Sequence, residues 1–295
     1  MQRKKLFCSF SGGETSALMT HKILTRWRDR YETVVVLFAN TSQENDATLD
    51  FVRRCDEHFG FNTVWVEAKV REHGGTEHTV VTFETAKRNG EIFEKFIDKY
   101  GIPNYKFPQC TRELKLRPIR SYLRSLGWLP SVYDTAIGIR ADELQRRAKN
   151  AVEKGVVYPL IDWSPHTKTQ VNAFWNAQNF RLDLTGYQGN CKTCWKKSFR
   201  KLLTVMDETP HAFDFFERME QTKSHIGAEF LKPNVPEGYK RVFFRGNKSV
   251  ADLRAVHAAG AWSAAENDAV LYDNTHLVLD LYDPDGCAES CEINF

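Results

Sequence analysis

Apolar positions along the chain follow two alternating patterns. Leu6 to Phe10 and Thr33-Val34-Val35-Val36-Leu37-Phe38-Ala39 are almost unbroken apolar or β-branched runs, as expected for strands buried on both faces of a parallel sheet. Phe61 to Val66 and Val132 to Gly138 read as further strands. Between them the period becomes helical. Ala17 to about Trp27 follows the first run, and Leu49, Phe51, Val52 and Phe59 share one helix face after Asn45 or Asp46, either of which can cap it. Glu91 to Tyr100 is an amphipathic helix stopped by Gly101-Ile102-Pro103, whereas His73 to His78 reads as a polar loop. Further on, Phe213, Phe215, Phe216 and Met219 predict a packed helix, and Val242 to Arg245 a short strand or turn. Strands alternating with helices predict an α/β fold with a doubly wound, mainly parallel sheet, followed by a mainly helical C-terminal region.

Ligands of such sheets gather at the carboxyl ends of the strands. Two stretches fall there: Ser11-Gly12-Gly13-Glu14-Thr15-Ser16 and Asn40-Thr41-Ser42. In the first, paired glycines turn a strand directly into a helix, which presents free backbone N–H groups and the positive end of the helix dipole at one point. Phosphate suits that site. The Walker pattern is excluded because Glu14-Thr15 follows Gly13 where a lysine is needed, and the Rossmann glycine spacing is missing. Arg112, Lys115 and Arg117 lie on an expected helix, where spacings of three and five put Lys115 beside Arg112 and turn Arg117 away. They form either an anion clamp or a solvated basic face.

Composition narrows the class. The 295 residues are 42% hydrophobic and 13% aromatic, enough for a sizeable core. Forty-one Lys and Arg against 38 Asp and Glu leave no strong global pull toward nucleic acid, although Lys196 to Lys201 is a dense local cluster. No run is long enough for a signal-peptide core or a membrane span, so a cytoplasmic protein is expected. Seven cysteines, at 8, 55, 110, 191, 194, 287 and 291, favour metal binding or catalysis over disulfides in that setting. Cys191-Lys192-Thr193-Cys194 is a C-x-x-C turn, whereas Cys8 and Cys55 read as packed thiols.

Several phrases together resemble the PP-loop ATP pyrophosphatases (adenine nucleotide alpha hydrolase-like fold), most closely their phosphoadenylylsulfate (PAPS) reductase-like branch. They are the Ser-Phe-Ser-Gly-Gly-x-Thr-Ser loop, Phe38 to Asn45, Cys110-Thr111-Arg112-Glu113-Leu114-Lys115, Gly138-Ile139-Arg140-Ala141-Asp142-Glu143, Tyr158 to Trp163, and the C-x-x-C turn. The likeness covers roughly residues 5 to 205, which suggests a nucleotide-binding α/β domain over 1–205 and a helical region over 206–295. It implies that Ser11, Gly12, Gly13, Thr15 and Ser16 bind a departing pyrophosphate or its equivalent, that Asn40 and Thr41 contact adenosine, and that Arg112, Lys115 and Arg140 hold the remaining anions. Ser42 stands where relatives often carry glycine, and Glu14 where many carry a basic residue; a carboxylate there repels polyphosphate unless Mg²⁺ bridges them.

Eighty residues separate Cys110 from Cys191, similar to the iron–sulfur members of the family, yet Gln109 replaces the first cysteine of their Cys-Cys pair. A [4Fe-4S] cluster on Cys110, Cys191 and Cys194 then takes Cys287 or Cys291 as fourth ligand, or keeps one iron open. Zinc on Cys191, Cys194, Cys287 and Cys291 is the alternative. The resemblance implies an enzyme using ATP or an adenylyl sulfur nucleotide. The first expectation is ATP-dependent sulfur transfer through substrate adenylation, with tRNA or DNA as acceptor and a homodimer allowed. PAPS/APS reduction to sulfite is second, since the Glu-Cys-Gly-x-His tail of those reductases is missing, and a non-catalytic nucleotide-binding regulator is third.

Overall fold

The computed structural model describes residues 5–189, 191–227, 238–267 and 269. β1 (Lys5–Ser9) leads through the Ser11–Ser16 loop into α1 (Glu14–Arg26), and β2 (Thr33–Asn40) into α2 (Asp46–Phe59). Then come β3 (Val64–Val70), β4 (Thr76–Val81), α3 (Glu91–Tyr100), α4 (Arg117–Ser125) and β5 (Tyr133–Ile137). A short α5 (Ala151–Lys154), β6 (Val156–Val157) and α6 (Lys168–Asn176) complete the α/β layers. Three further helices follow: α7 (Phe199–Glu208), α8 (Asp214–Lys223) and α9 (Val250–Ala258).

The sheet order is β4-β3-β2-β1-β5-β6, parallel throughout except for the antiparallel β3–β4 pair. Leu6 pairs with Val34 on one side and Asp134 on the other, so β1 is central. The chain leaves β1 toward β2 and later returns to its opposite side with β5. That reversal is a topological switch point, and it opens a crevice above the ends of β1 and β5.

Strand periodicity explains the layering. Leu6, Cys8 and Phe10 face one way, into a core with Leu18, Phe51, Val52 and Trp175 from α1, α2 and α6. Phe7 faces the other way, onto Leu116, Ile119, Leu123 and Trp128. Cys8 and Cys55 are fully buried, and burial pushes both thiols up, as packed cysteines require. A separate core joins Phe93 and Phe96 of α3 to Leu202, Phe213, Phe216, Phe243 and Leu253, which fastens α7, α8 and α9 to the α/β layers.

Two expectations are corrected. The stretch His73 to His78 is not all loop, because Thr76–Val81 forms β4 and zips onto β3, with His78 Nδ1 2.9 Å from Ser121 Oγ. Its polar side chains hid it. Thr111–Leu116 is a π-helix, whose i→i+5 bonding brings residues five apart onto one side. Arg112 and Arg117 therefore converge on buried Glu113 (2.8 and 3.3 Å), and Lys115 points elsewhere.

Glu220 on α8 ties the C-terminal helices together. Its carboxylate accepts the Phe243 N–H at 3.0 Å and the Val250 N–H at 2.8 Å. Burial, with Asp252 and Glu217 adding repulsion, pushes its pKa up to about 7 despite those bonds. The native state therefore holds a proton that the unfolded chain has released. The associated stability is full below the unfolded carboxylate pKa and is lost as pH rises through 7. Denaturant titrations should show wild type losing up to about 3 kcal/mol between pH 4.5 and 7.5 relative to Glu220→Gln, whose side chain does not titrate.

Candidate functional site

The loop after β1 turns tightly into α1. Gly12 sits at φ +81°, and a Cβ there would lie 2.5 Å from Thr48 Cγ2, so only glycine fits. Ser11 N–H donates to Ser16 Oγ (3.2 Å), and Ser16 Oγ donates to Gly13 O (2.9 Å), which folds the loop over the first turn of α1. At the end of β5, Gly138 lies so close that a Cβ would come within 2.8 Å of Ser16 Cα. Both strands flanking the crevice thus meet at Ser16.

An open cleft lies over this loop. Ser11 to Ser16, Gly138 and Arg140 line it, and so do Lys115, Arg146 and Lys168. The acids in its wall are each paired with a cation. Glu143 is buried and bonded to Arg146, with Arg140 3.6 Å away. Asp142 orients Arg140 through Nε (3.0 Å) and accepts the Lys168 N–H (3.2 Å) at the start of α6, where Thr167 and Gln170 form a capping box. Glu14, whose pKa burial raises, is held by Arg181 through two bonds of 3.0 Å. Arg181 thereby supplies a counter-charge for the carboxylate that stands in the Ser11–Ser16 loop.

The loop after β2 is held by buried hydrogen bonds. Asn40 is fully buried, and its amide donates to Glu67 Oε1 (2.7 Å) and Lys87 O (2.8 Å) while accepting the Ser42 N–H (3.1 Å). It braces the loop and does not line the cleft. Ser42 holds φ +65°, so the left-handed backbone is adopted here by serine. Its Oγ accepts the Ile92 N–H at the start of α3 (3.1 Å). Thr41 N–H and Oγ1 both donate to the buried Glu44 carboxylate at 2.8 Å, and Lys115 Nζ reaches the same group at 3.6 Å.

Glu44 lies at the boundary with a second, smaller pocket. Cys110, Cys191 and Cys194 all line it, together with Thr41, Lys115, Leu114 and the aromatic rings of Phe93, Trp195 and Phe216. The C-x-x-C turn docks on the β2 loop: Lys192 N–H donates to Gln43 O (2.8 Å), and Cys191 Sγ lies 3.6 Å from Thr41 Oγ1. Lys197 is buried beneath the turn and donates to Tyr187 O (2.8 Å) and Gly189 O, so part of the basic 196–201 stretch is structural. Thr193 Oγ1 and Trp195 Nε1 are buried without a hydrogen-bond partner among the described residues. No group of three or more His, Cys, Asp or Glu among the described residues is arranged to hold a metal ion. Cys287 and Cys291 lie outside those residues.

The fold therefore gathers Ser11, Gly12, Gly13, Thr15, Ser16, Lys115 and Arg140 at one cleft, and Cys110, Cys191 and Cys194 with Thr41 at its neighbour. Arg112 joins neither; its Nε is bonded to Glu113 as the π-helical turn dictates. Glu44, Arg146 and Lys168 carry chemistry that the motifs left out. Arg146 had a local signal in the Arg146-Arg147 pair, but Lys168 had none, because only the packing of α6 against α1 brings it to the cleft.

The phosphoadenosine phosphosulfate reductase domain matches residues 5–183. An uncharacterized nin region protein of Escherichia phage lambda is 29% identical over 291 residues, 97% of this chain and 93% of that protein. An uncharacterized protein of Methanocaldococcus jannaschii is 25% identical over 166 residues, 52% of this chain but 32% of the relative's length. A crystal structure of PAPS reductase from Candida auris in complex with phosphate is similar over 58% of this chain and 71% of its own, at 17% identity and a TM-score of 0.34. The fold assignment stands on the strand order, not on that superposition. No helix among the described residues is long and apolar enough to cross a membrane.

Proposed function

Since the chain belongs to the phosphoadenosine phosphosulfate reductase domain family, we propose that it is an enzyme of sulfur chemistry that binds ATP or an adenylyl sulfur nucleotide in the cleft over Ser11–Ser16. One observation carries the reading. Lys115 lines both the cleft and the cysteine pocket, so a nucleotide held in the first would lie next to the second.

The backbone N–H groups of the loop, with Arg140, Arg146 and Lys168, would hold the pyrophosphate or its equivalent and stabilise charge as it departs. With ATP, an acceptor oxygen attacks the α-phosphorus and the bond to the β-phosphate oxygen breaks. Pyrophosphate leaves with the electron pair, and a sulfur nucleophile then displaces AMP. Lys115 is placed to screen charge between the two pockets. Mg²⁺ would ride with the polyphosphate.

The family resemblance supports an iron–sulfur group at the pocket that Cys110, Cys191 and Cys194 line, although among the described residues these thiols are not arranged to hold a metal ion. Cys110, Cys191 and Cys194 would hold it, with Cys287 as fourth ligand or one iron open, and it would supply sulfur or electrons at that point. A nucleic acid, tRNA or DNA, is the proposed acceptor.

The matched domain also supports a second reading, reduction of an adenylyl sulfate. Product analysis with anaerobically purified protein separates them. AMP and pyrophosphate formed from ATP only when nucleic acid is added supports sulfur transfer. Sulfite from adenylyl sulfate supports reduction. Neither product, with ATP still bound, would leave a nucleotide-binding regulator and overturn the enzymatic proposal.

A further inference from the structure

One stretch of surface beside the cysteine pocket is strongly basic. Residues 101–131 carry six cations, Lys106, Arg112, Lys115, Arg117, Arg120 and Arg124, and a single acid, Glu113. Glu113 is fully buried, where it holds Arg112 and Arg117 through their Nε groups and accepts the Thr76 hydroxyl (2.8 Å). One carboxylate shared by two guanidiniums fixes both and leaves a net positive charge, and these two side chains are still 53% and 40% exposed. Lys115 turns inward to Glu44 and is not part of this surface.

α4 carries the charge onward. Ile119 and Leu123 bury one side of the helix against Phe7 of β1, and the helical period groups Arg117, Arg120 and Arg124 on a second side along about 10 Å of axis. The neighbouring strand β4 adds no acid there. His78 of β4 lies 2.9 Å from Ser121 of α4 and Thr76 reaches Glu113, so Glu77 points to the other face of the sheet, where it pairs with Arg71. At the opposite end of the strip, five residues before Cys110, Tyr105 is 74% exposed. Its turn is closed by Asn104, whose side chain accepts the Lys106 N–H (3.0 Å) and donates to Val242 O (2.8 Å). An aromatic ring is thus held in solvent beside exposed Lys106.

We propose that this strip, from Tyr105 through Arg112 and Arg117 to Arg124, is the docking track for a single-stranded or looped nucleic acid, whose reacting nucleotide is delivered to the pocket at Cys110. The proposal deepens the functional reading and rests on nucleic acid being the acceptor. A line of arginines complements a line of phosphates, and that part of the contact is blind to sequence. The exposed ring favours a nucleic acid over an acidic polypeptide, because an unstacked base has a face to lay on Tyr105 and a carboxylate does not. A closed duplex is disfavoured for the same reason.

The test is binding of a fluorescent single-stranded oligonucleotide, DNA and RNA in separate arms, to the full chain between about 50 and 200 mM KCl, with ATP binding measured apart. Lys106 and Arg124 are both exposed and neither holds Glu113, so a Lys106→Gln, Arg124→Gln protein keeps the buried pairing. It is expected to bind at least fivefold more weakly in the tighter arm, with the slope of log affinity against log salt shallower by about 1.4. Tyr105→Ala should lose at least about fivefold at an unchanged slope. Both variants should bind ATP as wild type does. A Lys149→Gln, Lys154→Gln protein, altered beside β6 at the far edge of the sheet, should bind the oligonucleotide normally. Equal affinity and slope in the Lys106 and Arg124 variant, or an equal loss in the Lys149 and Lys154 variant, overturns the proposal. Wild type that binds ATP but no oligonucleotide also overturns it and leaves the nucleotide cleft standing, whereas oligonucleotide binding without ATP binding upholds the track and counts against the cleft. Poly-glutamate competing as well as the oligonucleotide, with Tyr105→Ala unaffected, would assign the strip to an acidic polypeptide instead.

Discussion

Replacing Gly12 with alanine is expected to abolish nucleotide binding and to lower stability by roughly 2–4 kcal/mol. Two costs combine at this one atom. At φ +81° the added Cβ strains the backbone, and it also meets Thr48 Cγ2 at 2.5 Å and the Phe38 ring at 3.1 Å. Neither neighbour can retreat, because Phe38 packs edge-on against Trp65 and Thr48 is in the first turn of α2. The loop must move instead, which breaks the Ser11–Ser16 hydrogen bonds that aim its N–H groups. Isothermal titration with ATP and a denaturant midpoint check both parts. A Gly12→Ala protein that binds ATP normally would mean that the cradle is not the anion site.

Lys115→Met should be comparably damaging through a different cause. Glu44 is buried, and Lys115 Nζ lies 3.6 Å from its carboxylate. Removing that partner strands a carboxylate in the interior, a change that costs about 3–5 kcal/mol. Adding Glu44→Gln removes the stranded charge, so the double variant should regain most of the stability and none of the nucleotide-dependent activity. A single variant as stable as wild type would show that the pair contributes little to the fold. Recovery of activity in the double variant would remove Lys115 from the site.

How far the sequence foretold this site differs from element to element. β1, β2, α1 and α3 were readable because apolar run length and period report burial directly, and the Gly12–Gly13 break marked the cleft. Cys110 shares a pocket with Cys191 and Cys194 because the C-x-x-C turn docks on the loop after β2, a long-range contact. β4 was hidden because it pairs on one side with β3 and carries Glu77, His78 and Thr79, leaving no apolar alternation. Lys115 and Arg112 part company because Thr111–Leu116 is a π-helix, which turns Lys115 toward Glu44 and Arg112 toward Glu113. Asn40 illustrates another limit, since its residue type suits a ligand contact and a loop brace equally, and only Glu67 and Lys87 across the sheet edge decide between them. Arg181 and Lys168 are long-range contributions with no local signature.

The account joins an anion cleft to a cysteine pocket through Lys115, and one measurement tests that junction directly. Iron, acid-labile sulfide and zinc are determined per chain in anaerobically purified wild type and Cys110→Ala, and the visible absorption of each is recorded before and after ATP. The account predicts roughly four irons with matching sulfide in wild type, their loss in Cys110→Ala, and a wild-type spectrum that shifts when ATP binds. A single zinc retained in Cys110→Ala, with ATP bound and no spectral response, would contradict it.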